Sequence, residues 1–155
     1  MGQQQLLLVI LVTIIVGIAT VVAINIFGQA SDQANRDAVR QDLMGAAAQA
    51  QGIWARPAMM DGAARDFDSL ELAELLERLN IPTNDPDYDP GTSISLENDN
   101  GTYSLSGVDE SELTIEGIPA SGGETITAIV CRDETTGNWL IDIGEPATRP
   151  TGCGT

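Results

Sequence analysis

The chain of 155 residues contains no histidine and no lysine, and its seven basic residues are all arginine. Without histidine, Ser–His and Cys–His catalysis and imidazole metal sites are excluded. Two cysteines are too few for a zinc cluster or a disulfide-dense domain. The GxSxG, Walker A and HExxH motifs are absent as well. The sequence therefore predicts a protein that is not an enzyme and that needs no cofactor.

Positive charge is scarce, because 23 Asp and Glu stand against seven Arg and the formal net charge is -16. So negative a field repels phosphate, and we expect no nucleic-acid partner. Residues 61–155 hold 20 acids and four Arg, a net charge of -16, whereas residues 1–31 carry no charged side chain. The mean hydropathy of +0.01 is thus the average of an apolar first part and an acidic last part.

The first part holds 22 uncharged residues from Leu6 to Phe27, of which only Thr13, Thr20 and Asn25 are polar. As an α-helix, this run is long enough to cross a hydrocarbon core of about 30 Å. A secretory signal peptide would start with basic residues and hold a shorter apolar stretch of about 7–15 residues. The run is therefore predicted to be a retained transmembrane helix, and a segment that only anchors the protein is the simpler alternative.

Helical periodicity continues beyond the apolar run. Residues 6–54 contain no proline, and residues 29–54 are rich in Ala, Gln, Arg and Leu, which favour helix. Apolar residues recur there at steps of three and four and form one stripe: Ala34, Ala38, Val39, Leu43, Ala46, Ala47, Ala50, Ile53 and Trp54. We predict one nearly continuous helix from about Gln3 to about Ala55, ended by Pro57, with a core helix (1–28) and an amphipathic continuation (29–56).

Residues 57–155 are predicted to form an acidic globular head. Asp68 followed by Glu71 resembles a capping box and predicts a short helix over 68–80. Its inner face is predicted to hold Leu72, Leu75, Leu76 and Leu79. Alternating polar and apolar residues and the turn pair Asn100–Gly101 predict antiparallel strands at 93–96, 102–105, 113–115, 124–131 and 139–143. The expected fold class is α+β, with a long N-terminal helix packed on a small antiparallel sheet.

The two cysteines are candidates for a disulfide. Cys131 ends a predicted strand, and Cys153 lies in the coil that follows the next strand. A bridge would close a hairpin and fix the C-terminal tail, which stabilises the fold by roughly 3 kcal/mol. It would also indicate an oxidising location outside the cytoplasm. The alternative is two unrelated thiols.

The loop NDPDYDPG holds a weak calcium candidate formed by Asp85, Asp87 and Asp89. Three neighbouring carboxylates suit a hard cation. The EF-hand pattern is not met, because Pro90 stands where glycine is required and Leu96 where glutamate is required. The alternative is a solvated acidic loop shaped by Asp–Pro turns.

The order of the predicted elements resembles that of type IV pilins and pseudopilins. An apolar N-terminal helix is followed by an amphipathic continuation, a small sheet and a C-terminal Cys-to-Cys segment. The start MGQQQLLLVILVTIIVGIA is similar to that family's N-terminal segment, where a glycine precedes a polar patch and an apolar run. The resemblance implies cleavage after Gly2, with Gln3 as the mature N-terminus. The family's glutamate at mature position five is missing, since Leu7 stands there. The bacterial and archaeal branches both remain open.

The resemblance also implies an extracellular, cell-surface filament of identical subunits. Its partners would be copies of itself, the membrane before assembly and the pilus assembly machinery, and the disulfide-bounded segment would be exposed. The alternatives are a membrane-anchored monomeric binding domain and a minor pseudopilin of a secretion system. The residues implied in the filament core are Leu6, Leu7, Leu8, Val9, Ile10, Leu11, Val12, Ile14, Ile15, Val16, Ile18, Val21, Val22, Ile24, Ile26 and Phe27.

Overall fold

A computed structural model describes residues 2–153. The described chain is α+β, as predicted, and has a long helix, a short helix and a five-stranded antiparallel sheet. The elements are α1 (Gly2–Ala55), 3-10 turns at Ala58–Met60 and Phe67–Ser69, α2 (Leu72–Arg78), β1 (Ser95–Glu97), β2 (Gly101–Asp109), β3 (Glu112–Pro119), β4 (Ile126–Arg132) and β5 (Trp139–Gly144).

The chain divides into two compact units, Met1–Ala34 and Asn35–Thr155. The part of α1 from Asn35 onward belongs to the same unit as the head. The physical reason lies in Asn35, whose amide group donates to the carbonyl oxygen of Asn100 at 2.9 Å and accepts from the backbone N–H of Ser121 at 3.1 Å. Beyond this position, one face of the helix is buried against the head.

The sheet is an antiparallel meander with the strand order β1-β2-β3-β4-β5. The turn between β1 and β2 is tight, because Oδ1 of Asn98 accepts the backbone N–H groups of Asn100 and Gly101 at 2.9 and 3.1 Å. β2 and β3 are longer than predicted, since their pairing extends to Asp109 and Glu112. β4 begins at Ile126, two residues later than predicted.

One face of the sheet packs on the second part of α1. The predicted stripe supplies the buried helix residues Val39, Leu43, Ala46, Ala47, Ala50 and Ile53. Gly117 on β3 allows the close approach, because a Cβ atom there would lie 2.7 Å from Cγ1 of Val39. At the end of the helix, Trp54 packs edge-on against Trp139 with ring centroids 5.4 Å apart.

The predicted helix over 68–80 is shorter in the structure, where α2 spans Leu72–Arg78. Asp66, not Asp68, caps the preceding 3-10 turn by accepting the N–H of Asp68 at 3.0 Å. The backbone is then extended at Leu70 and Glu71, so the predicted capping box does not form. Three of the four leucines predicted on the inner face are buried, whereas the fourth, Leu72, is 42% exposed.

Candidate functional surfaces of the helix and the head

The first unit is an apolar helix whose side chains face outward on all sides. Gly2–Ala55 is long and apolar enough to cross a membrane by length and composition. All the residues predicted for a filament core are exposed, from 48% for Val12 to 75% for Phe27. Removing such a surface from water releases about 25 cal/mol per Å². The segment therefore requires lipid or other apolar protein surface around it.

The polar side chains of this segment are compatible with an apolar environment. The hydroxyl of Thr13 donates to the carbonyl oxygen of Ile10, and that of Thr20 donates to that of Val16, both at 2.8 Å. Such bonds within the helix satisfy the hydroxyl donors without an external partner. Gly2 and Gln3, the predicted processing positions, are exposed in the first turn of α1. Cleavage there stays a prediction.

Asp42 fastens α1 to the β1–β2 hairpin. Its Oδ2 accepts hydrogen bonds from the hydroxyl of Tyr103 at 2.6 Å, from Nδ2 of Asn100 at 2.8 Å and from Nδ2 of Asn98 at 3.2 Å. Burial and the neighbouring Asp42 carboxylate raise the pKa of the Tyr103 phenol far above its usual range. The phenol therefore keeps its proton, and with it the hydrogen bond to Asp42, further into alkaline pH than an ordinary tyrosine does.

A second polar contact joins α1 to the end of β5. The guanidinium groups of Arg36 and Arg40 both donate to the carboxylate of Glu145. The bond from Nη2 of Arg40 to Oε1 of Glu145 measures 2.7 Å. The Glu145 side chain is 17% exposed, so solvent screens this contact less than it screens a surface ion pair. Together with the Asp42 contacts, it fixes residues 35–55 of the helix to two separate parts of the sheet.

The predicted disulfide joins Cys131 of β4 to Cys153 of the tail, with Cα atoms 5.6 Å apart. The tail is held further by Arg149, whose Nε donates to Oε2 of Glu112 at 2.8 Å. One carboxylate oxygen of Glu112 also lies within 4.8 Å of the two sulfur atoms. This group is not a metal site, because sulfur binds metal as the free thiolate and these sulfurs are bonded to each other.

The calcium candidate loop does not bring its carboxylates together. Within residues 2–153, the carboxylate oxygens of Asp85, Asp87 and Asp89 do not all lie within 4.8 Å of one another, the spacing that a shared metal ion would need. Oδ1 of Asp85 instead accepts the N–H of Asp87 at 2.9 Å, and Oδ2 of Asp89 accepts the hydroxyl of Thr92 at 2.8 Å. These bonds shape turns, which supports the alternative reading of a solvated acidic loop.

Two features of the structure were not predicted from the sequence. The first is the role of Asp42, whose partners lie more than 50 residues away in the chain. The second is an apolar loop tip, where Met59 is 97% and Met60 67% exposed. The signal for the second was present, because two adjacent methionines lie just beyond Pro57, the residue predicted to end the helix. No protein-family model, curated protein or solved structure matches the chain.

Proposed function

We propose that this protein is a structural subunit of an extracellular type IV pilus-like filament and that it polymerises through its apolar N-terminal helix. The observation that carries the proposal is the outward-facing apolar surface of residues 6–27, exposed around the whole helix. A helix that is apolar on every side is buried in lipid or in a protein core. The membrane provides this environment before assembly, and copies of the same helix provide it afterwards.

Parallel association of identical helices satisfies this surface outside the membrane. Residues 1–31 contain no charged side chain that would oppose close packing of several copies. At about 25 cal/mol per Å², burial of the apolar surface is a large driving force for association. Subunits that repeat the same non-closing contact form an open helical filament rather than a ring.

The head has the properties of a rigid subunit surface. The contacts of Asp42 and Glu145 fix the amphipathic part of α1 to the sheet, and the disulfide fixes the tail. The acidic residues of 61–155 keep the head hydrated, and their mutual repulsion between subunits is screened beyond a Debye length of about 8 Å at physiological ionic strength. The head is therefore suited to the outer surface of an assembly with an apolar core.

Electron microscopy of material sheared from cells that produce the chain tests this proposal. We expect filaments that contain the chain, with residues 6–27 in the central bundle. Val16→Asp places a charge in the apolar core and is expected to abolish the filaments. Val16→Leu is the matched control, and it should keep them.

Fractionation separates assembly from insertion, because an aspartate in the middle of a membrane helix also disfavours insertion, by roughly 3 kcal/mol. A lack of filaments from the Val16→Asp chain therefore shows a defect in assembly only if that chain is recovered from the membrane with its disulfide formed. Recovery of the unsubstituted chain only as a monomer in detergent extracts, with no filaments in sheared material, would refute the proposal and favour a membrane-anchored surface domain.

A further inference from the structure

The connection between α1 and the second 3-10 turn presents two methionines to solvent. We call residues 56–65 the methionine loop. Met59, at 97%, has the most exposed large apolar side chain among residues 2–153, and Met60 beside it is 67% exposed. Methionine is flexible and polarizable and is common at surfaces that bind other proteins. Two adjacent exposed methionines are therefore a candidate contact point.

The methionine loop is held in place by its backbone. Asp61, Ala64 and Arg65 all adopt positive φ angles, of 54°, 50° and 73°. Non-glycine residues in this region cost about 1–3 kcal/mol each, and such strain tends to occur at functional positions. Backbone hydrogen bonds tie the loop to the end of α1, including those from Ala63 to Ile53 at 2.9 Å and from Arg65 to Trp54 at 2.8 Å.

The loop also carries positive charge within an acidic head. Arg56 and Arg65 are both exposed. Asp61 is the only acid among residues 56–65, so the loop has a net charge of +1, whereas residues 61–155 as a whole carry -16. A partner surface that combines apolar side chains with carboxylates would complement the loop.

The head itself contains such a surface. A groove with a volume of about 420 Å³ lies between residues 68–72 and residues 105–108. Its apolar lining includes Leu72, which is 42% exposed, and the half-buried Val108. Asp68 and Glu71 also line it, and both are exposed. We call it the acidic groove.

We propose that the methionine loop of one subunit docks into the acidic groove of a second copy of this chain, as a contact between heads in the filament. The inference rests on the proposed filament function. The apolar side chains of Met59 and Met60 would cover Leu72, and the two arginines would face Asp68 and Glu71. When each subunit docks its loop into one neighbour and receives the loop of another in its groove, the contact is head-to-tail and continues along the filament without closing.

Disulfide cross-linking in filaments of the full chain tests this contact. Both native cysteines are already bonded to each other, so introduced cysteines are the only free thiols. A chain carrying Met59→Cys and Leu72→Cys is expected to give a ladder of covalent oligomers after mild oxidation of the filaments. Each single substitution gives at most dimers, and a bond within one subunit leaves a monomer on a non-reducing gel.

The matched control combines Leu72→Cys with Met44→Cys, since Met44 is 63% exposed on α1 and lies outside the loop. No ladder is expected from this pair. Filaments of the first pair without a ladder would overturn the contact between heads while leaving the filament function in place. Absence of filaments from the unsubstituted chain would overturn both proposals.

Charge exchange provides a second test if the cysteine variants do not assemble. Arg65→Glu should reduce the yield of filaments, and Glu71→Arg in the same chain should restore it. No restoration would overturn the contact.

A lipid surface is the competing occupant of the loop, and thiol labelling of Met59→Cys distinguishes it. Rapid labelling by a charged maleimide in membranes and protection in filaments are expected, whereas protection already in membranes would overturn the docking of a second copy.

Discussion

The phenol of Tyr103 donates a hydrogen bond of 2.6 Å to Oδ2 of Asp42 and so joins strand β2 to helix α1. The same oxygen accepts the side-chain amides of Asn98 and Asn100. Three donors therefore converge on one carboxylate oxygen, and Nδ2 of Asn98 also donates to the carbonyl oxygen of Pro82 at 3.0 Å. In a head whose core is formed between one helix and one sheet, this contact fixes the position of the helix over the β1–β2 hairpin.

Replacement of Asp42 by alanine is expected to lower the free energy of unfolding by about 2–3 kcal/mol, because it removes the acceptor that the partly buried donors of Tyr103 and Asn100 share with Asn98. Asp37→Ala is the matched control on the same helix. Asp37 is 59% exposed and pairs with Arg40 at 3.0 Å, and such surface pairs contribute about 0.5 kcal/mol or less. Urea unfolding of the detergent-solubilised chain, followed by circular dichroism, measures both. Equal losses for the two variants would contradict the role given to Asp42.

The raised pKa of Tyr103 predicts a loss of stability in alkali. A phenol whose pKa is higher in the folded protein than in the unfolded chain stabilises the fold below the unfolded pKa of about 10. As the pH rises above that value, the unfolded chain loses its proton first, and the contribution declines. We therefore expect the free energy of unfolding to fall above about pH 10.

Tyr103→Phe is the control for this pH dependence. The variant should be less stable at neutral pH and should lose less stability between neutral pH and strong alkali, because it has no phenol to ionise. Ultraviolet difference spectra of the folded chain should show late ionisation of Tyr103. An unchanged alkaline slope in the phenylalanine variant would contradict the assignment.

The disulfide is expected to contribute roughly 3 kcal/mol, since it closes a segment with a sequence separation of 22 residues. Reduction of the unsubstituted chain should lower its thermal midpoint and release the tail, which amide hydrogen exchange would detect at residues 145–153. The double variant Cys131→Ala, Cys153→Ala should show the lower midpoint already and should not respond to the reductant. A response in that variant would mean that the reductant acts elsewhere.

The long helix and most strands were predictable from local patterns. α1 ends at Ala55 because Pro57 disfavours helix before it, and its buried face follows from apolar residues at helical spacing. The start of α2 was not predictable in the same way. Asp66 and Asp68 are both suitable caps, and a tertiary bond from the N–H of Phe67 to the carbonyl oxygen of Glu110 accompanies the observed turn. Local propensity does not contain that contact.

The candidate functional surfaces also differ in how far local sequence patterns predict them. The exposed apolar helix follows from composition, because a run of 22 uncharged residues has no complementary partner elsewhere in so acidic a chain. The Asp42 contacts need the register that places Asn98, Asn100 and Tyr103 beside the helix. The conformation of the methionine loop depends on the positive φ angles of Ala64 and Arg65. These angles could not be predicted from the sequence, because neither residue type favours that conformation.

Gly117 provides a test of how closely α1 approaches the sheet. Gly117→Ala would place its Cβ 2.7 Å from Cγ1 of Val39 and 3.4 Å from Cδ1 of Leu43, so the Val39 side chain or the helix that carries it must shift. We expect a loss of about 1–3 kcal/mol in the free energy of unfolding. Gly45→Ala is the matched control, because no atom lies within 4 Å of that added Cβ on the exposed side of α1. It should stabilise the chain by about 0.5–1 kcal/mol through its higher helix propensity.

A second substitution identifies the cause of the Gly117→Ala loss. If the clash with Val39 is responsible, Val39→Ala should offset part of it, and the double variant should lose less than the two single variants together. Urea unfolding of the four chains gives the interaction energy directly. Strict additivity would show that the added methyl group is accommodated elsewhere. The close contact between helix and sheet would then not depend on the missing side chain at Gly117.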